Sequence, residues 1–92
     1  MDERPVLVTT QYRGVFFGYA DADPVDRVLK LSRGRNCIYW PKETKGFLGL
    51  AKDGPLPGAR VGPAVDITLY GVTCVAICTP EAVSRWEAFP WQ

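Results

Sequence analysis

Val6-Leu7-Val8-Thr9-Thr10, then Gln11-Tyr12-Arg13-Gly14, then Val15-Phe16-Phe17-Gly18-Tyr19: two β-branched and apolar runs flank a short link that ends in glycine. Such runs, separated by a few residues of turn chemistry, predict an antiparallel hairpin. Side chains alternate across a strand, so Val15, Phe17 and Tyr19 share one face while Phe16 and Gly18 share the other.

Outward from this hairpin the punctuation repeats. Asp21-Ala22-Asp23-Pro24 is a turn, its aspartates able to bond the local backbone and its proline setting φ. A third strand is expected from Arg27 to Leu31, with Leu29 and Leu31 inward, and a fourth from Cys37 to Trp40, stopped by Pro41. Between Thr44 and Gly54 the period becomes helical, through Phe47, Leu48, Leu50 and Ala51. Thr44 is the expected cap of this short helix, Gly54-Pro55 its stop, and Gly46 and Gly49 weaken it. The segment from Asp53 to Pro63 reads as an extended crossover and lacks the spacing of a phosphate-binding glycine loop.

Two further strands follow, Val65 to Tyr70 and Val72 to Cys78, joined tightly at Gly71. Thr79-Pro80-Glu81 is a strong helix start: a capping hydroxyl, proline at the first helical position, and an acid at the positive end of the dipole. Ala82, Val83, Trp86 and Phe89 recur on one face, so this helix should dock its tryptophan on the sheet, and Pro90 ends it. The fold class is α+β. We expect a small antiparallel sheet of about five to six strands, order ββββαββα, open or partly closed in the manner of an SH3-like or OB-like barrel, with two short helices.

A chain of 92 residues forms one domain, burying about 60–65% of the surface its unfolded form exposes. Room for a second core or an enclosed cofactor is small, so function belongs on the surface or between subunits, and no cofactor is expected. At 47% apolar residues and a formal charge of +1, the chain carries too much core material for disorder and too little charge for a general nucleic-acid binder. Met1-Asp2-Glu3-Arg4-Pro5 has acids where a secretory leader carries lysine or arginine, and no apolar stretch reaches the roughly 18–20 residues that span a bilayer. The expected location is cytoplasmic, without membrane association. Three cysteines, an odd number, fit a reducing compartment in which thiols serve as small apolar side chains.

Chemistry-bearing residues are sparse. Histidine is absent, which removes the commonest proton carrier and metal ligand. Cys74 and Cys78, four apart on a strand, would lie roughly 13 Å apart, too far for a shared metal or a disulfide; both read as buried structural thiols. Cys37 has Arg35 nearby to favour a thiolate, but no histidine to serve as its base, so it is expected to be a core or rim thiol. Asp21, Asp23 and Asp26 cluster round a turn and lack a calcium-loop pattern. No catalytic or metal-binding residue is assigned, and we expect a protein that is not an enzyme.

Binding character concentrates in Arg33-Gly34-Arg35-Asn36-Cys37-Ile38-Tyr39-Trp40-Pro41-Lys42-Glu43-Thr44-Lys45-Gly46. Cations interleaved with flat rings suit an anion, a nucleotide or a partner's anchor residue. The candidate binding residues are Arg35, Tyr39, Trp40, Lys45 and Arg60: an aromatic to stack on a planar group, cations to neutralise phosphate or carboxylate. Strand alternation allows only one of Tyr39 and Trp40 to be exposed. Near the end, Phe89-Pro90-Trp91 is too apolar to be left in water, so Trp91 either folds back or meets another subunit.

The strings Arg13-Gly14-Val15-Phe16-Phe17-Gly18, Asn36-Cys37-Ile38-Tyr39-Trp40, Lys45-Gly46-Phe47-Leu48-Gly49-Leu50-Ala51, Arg60-Val61-Gly62-Pro63-Ala64-Val65 and Gly71-Val72-Thr73 through Trp86 resemble a family of small bacteriophage and prophage proteins of unknown function. The resemblance spans nearly the whole chain and carries no activity to any position. It implies a short phage accessory protein that binds a host protein, such as a defence factor, by occupancy. A small-ligand protein that sequesters a nucleotide or other anion at the interface of a homo-oligomer is the alternative.

Overall fold

The computed structural model describes residues 3–91, without the side chain of Arg13. The opening hairpin forms as read: β1 (Arg4–Thr10) and β2 (Gly14–Ala20) run antiparallel across a 3-10 turn at Gln11–Arg13. β1 is an interior strand, paired on its other edge with β6 (Val72–Ile77). Its two faces are covered as well, Leu7 entering one hydrophobic cluster and Val6 and Val8 the other, and all three are fully buried, which is why its sequence is a continuous apolar run.

The third and fourth expected strands are one continuous strand, β3 (Val28–Tyr39). Their apparent separation at Ser32-Arg33-Gly34 is a bulge, marked by register shifts against both neighbours and by a left-handed φ of 52° at Arg33. The bulge has a large consequence. Before it, Leu29 and Leu31 enter one hydrophobic cluster; after it, Cys37, at the same odd parity, enters the other. An extra residue in a strand exchanges its faces. One edge of β3 pairs with β2; the other meets β5 (Val65–Tyr70) along its first half and β4 (Arg60–Val61) along its second.

Counting the two halves of β3 separately recovers the order ββββαββα, with the two-residue β4 added. All pairings are antiparallel, in one six-stranded sheet. At Gly71 the chain turns a corner, so that β5 stays with β3 while β6 crosses to β1. Among the described residues β5 and β6 do not pair, and the sheet is not closed into a barrel.

The curl of the sheet encloses Val6, Val8, Ala20, Leu29, Leu31, Leu69 and Val72. On its opposite face, Leu7, Val15, Phe17, Cys37 and Val61 pack against Leu50 and Ala51 of α1 (Gly46–Lys52) and Ala82 and Trp86 of α2 (Pro80–Ala88). Trp86 stacks on Phe17, centroids 5.0 Å apart and planes within 3°, and donates its indole N–H to the Leu50 carbonyl at 3.1 Å. The docking that the α2 pattern predicts is thus realised, and Thr79 caps the helix by accepting from the Ala82 N–H at 3.1 Å.

Thr44 does not cap α1. That place belongs to Lys45, in the left-handed region at φ 68°, while Thr44 closes the preceding 3-10 turn and is buried with its hydroxyl unpartnered. Gly54, at φ 79°, ends the helix by donating to the Leu50 carbonyl, the left-handed stop expected of a glycine. Among the described residues, no helix is long and apolar enough to cross a membrane.

Candidate functional site

The β3 bulge sends Arg33 and Arg35 to one cleft, of about 310 Å³, between the sheet and the end of α2. Its aromatic lining is Phe17, Tyr19, Phe89 and Trp91; Arg33, Arg35, Glu87 and Ala64 complete it. Tyr19 comes from the helix-facing side of β2, as strand alternation requires, with its ring edge-on to Phe17. Its hydroxyl donates to the Glu87 carboxylate. Burial and then this hydrogen bond push the phenol up to about 12, so it is a proton donor throughout the physiological range.

The two arginines are in opposite electrostatic states. Arg33 is exposed, lies 4.2 Å from the Tyr19 ring centroid and pairs with Glu3 at 3.0 Å. That acid raises its already high pKa further. Arg35 is only 6% exposed. It donates through Nε to the Gly62 carbonyl at 2.7 Å and through a terminal nitrogen to the Trp86 carbonyl, one of the α2 carbonyls that the helix leaves without an internal partner. No carboxylate among the described residues pairs with it; burial alone lowers its pKa. The negative end of α2 offers about half a charge in compensation, and among the described residues the remainder is unmatched.

The other candidate residues lie elsewhere. Tyr39 and Arg60 are direct cross-strand partners on β3 and β4, both exposed. Trp40 packs against the helix-covered cluster, so Tyr39 is the exposed member of the aromatic pair. Lys45 is exposed at the start of α1. Of the five candidates, Arg35 alone lines the cleft; Tyr39 and Arg60 form a separate pair at the sheet edge. Sequence reading missed Glu87, Ala64 and the polar use of Tyr19, because their roles depend on the bulge and on where α2 ends. Trp91 had already drawn attention as an apolar terminal residue; it folds back far enough to line the cleft while staying 66% exposed.

Of the three thiols, Cys37 is the core thiol expected of it, and Cys74 departs from expectation. Arg35 does not activate Cys37: its guanidinium is engaged with two carbonyls, and burial pushes the Cys37 thiol up to about 11. Cys78 is buried and pushed up to about 12, but Cys74 is exposed, not a buried apolar filler. Among the described residues no cluster of side chains is arranged to hold a metal ion.

The chain belongs to the family described as a domain of unknown function, DUF6948, whose model matches residues 3–86. No curated protein and no solved structure matches it.

Proposed function

We propose that this protein is a phage-derived binding module that acts on a host protein by occupancy rather than turnover, and that the partner enters the cleft at the end of α2. The observation that carries this reading is Arg35: a buried guanidinium with no carboxylate partner among the described residues, in an aromatic cleft open to solvent. Buried charges are costly unless paired, and a partner that brings a negative group recovers that cost on binding. Trp91, exposed at the same cleft, is the kind of amphipathic ring that serves as an interfacial anchor. Phage origin and a host target rest on the resemblance described above. The exposed Tyr39 and Arg60 pair offers a second, separate contact surface at the sheet edge.

The test is capture from host lysate with the wild-type chain, Trp91→Ala, and the edge variant Tyr39→Ala with Arg60→Ala. A discrete partner retained by the wild type and lost with Trp91→Ala supports the reading. Equal recovery with Trp91→Ala removes the cleft from it. A second reading, sequestration of a small anion such as a nucleotide, draws on the same unmatched guanidinium. A thermal-shift series with nucleotides separates the two, because a ligand that binds only the folded state raises the melting temperature by mass action.

A further inference from the structure

Resting on that reading of the cleft, we infer that its occupant is the carboxy-terminus of a partner chain ending in an aromatic residue, whose terminal carboxylate meets Arg35 while its ring lies among Tyr19, Phe89 and Trp91. The charge inventory selects the head group. Arg33 is already neutralised by Glu3 at 3.0 Å and covers the Tyr19 ring at 4.2 Å. Among the described residues Arg35 has no carboxylate partner: its Nε and Nη1 are held by the Gly62 and Trp86 carbonyls, and its Nη2 makes no hydrogen bond and is not fully buried. Among the described residues that is one cation without a carboxylate partner, and Glu87 already adds negative charge to the cleft, so the head group carries no more than one negative charge. A phosphomonoester brings about −1.5 to −2 and would place the excess beside the Glu87 carboxylate, which lines the same cleft.

The body of the occupant follows from the lining and the volume. Four aromatic rings favour a flat group, and about 310 Å³ is at the small end of ligand sites, enough for one large side chain. Ala64, Glu87 and Trp91 are all exposed, so a free small molecule would remain half in water, whereas a peptide can leave through this open side. As it leaves, its backbone N–H groups can donate to Glu87. A ring and a carboxylate on one residue describe a chain terminus, and a guanidinium fork is well shaped to receive it.

The experiment titrates the full chain with a fluorescent heptapeptide ending in phenylalanine, as the free acid, as the carboxamide, and with alanine replacing the phenylalanine. The free acid should bind and perturb the Trp91 indole resonance, with the carboxamide and the alanine peptide each about tenfold or more weaker. Phenyl phosphate should compete poorly, and better against Glu87→Gln, whose amide oxygen can still accept from the Tyr19 hydroxyl. Equal binding of acid and amide, tighter binding of phenyl phosphate than of 3-phenylpropionate, or no binding of the free acid overturns the inference. Loss of the lysate partner with Trp91→Ala alongside equal binding of acid and amide leaves the occupancy reading standing without this ligand. Selective binding of the free acid with an unchanged lysate partner does the reverse.

Discussion

Two residues that meet where the 3-10 turn presses on α1, Thr44 and Gly49, respond to substitution in opposite ways, and neither response follows from helix propensity. Gly49 is inside the helix, where alanine would ordinarily gain about 1 kcal/mol. A Cβ there would lie 1.5 Å from the Thr44 carbonyl oxygen, a separation that no rotamer relieves, so Gly49→Ala should destabilise by about 2 kcal/mol or more. Thr44 is 3% exposed with an unpartnered hydroxyl. Its near-isosteric Thr44→Val removes a desolvated polar group without opening a cavity, and should be neutral or stabilising by up to about 1 kcal/mol. Urea midpoints of the two variants check both signs; a stabilised Gly49→Ala would show that the turn does not press on the helix. Alkylation belongs to this scale as well. Iodoacetamide at pH 7.5 should label only exposed Cys74 in the folded chain, because Cys37 and Cys78 combine burial with raised thiol pKa values. Stoichiometric labelling of Cys37 would revive a nucleophilic role for it.

At the level of elements, legibility followed the locality of the cause. The hairpin and α2 are written in short-range chemistry: alternation around Gly14 for the first, and Thr79-Pro80-Glu81 with Ala82, Val83 and Trp86 for the second. The bulge in β3 was read as a break between strands, because Ser32-Arg33-Gly34 has turn composition and only pairing with β2 and β5 shows that the strand continues. That one misreading hid the candidate site, since the bulge is what brings Arg33 and Arg35 beside Tyr19 and Glu87. α2 carries more than its nine residues suggest: it supplies the Trp86 indole to the core, the Trp86 carbonyl to Arg35, and Glu87 to Tyr19. The Thr79 hydroxyl both caps α2 and donates to the Lys52 carbonyl of α1. Thr79→Ala should therefore cost about 1–2 kcal/mol, towards the upper end because two helices lose a tie at once. Thr79→Ser should keep most of it. Equal losses in thermal denaturation would show that the hydroxyl does not serve both helices.

For the molecule as a whole, three of its proton-bearing groups face the same way in pH. Cys37 and Cys78 are both in the helix-covered cluster that Trp86 completes, and burial lifts them from about 9.0 to about 11 and about 12. Tyr19, packed against that cluster, rises from 10.0 to about 12. In the unfolded chain these groups release their protons near the ordinary values, while the folded chain holds them to higher pH. Between about pH 9 and 12 the folded state therefore binds more protons than the unfolded one, and the free energy of unfolding falls as pH rises. Their contribution is fully present below pH 9 and is lost as pH climbs through the folded values. Urea midpoints taken under reducing conditions at pH 7.5, 9 and 10.5 should fall slightly to the second, where the unfolded thiols are already half ionised, and clearly to the third. Replacing both buried thiols, Cys37→Ala with Cys78→Ala, should flatten that fall, leaving the part due to Tyr19, which begins a full pH unit later. A midpoint that holds or rises between pH 9 and 10.5 would mean that water reaches the thiols, and with it that the helices do not close over the sheet as tightly as the packing of Trp86 on Phe17 requires.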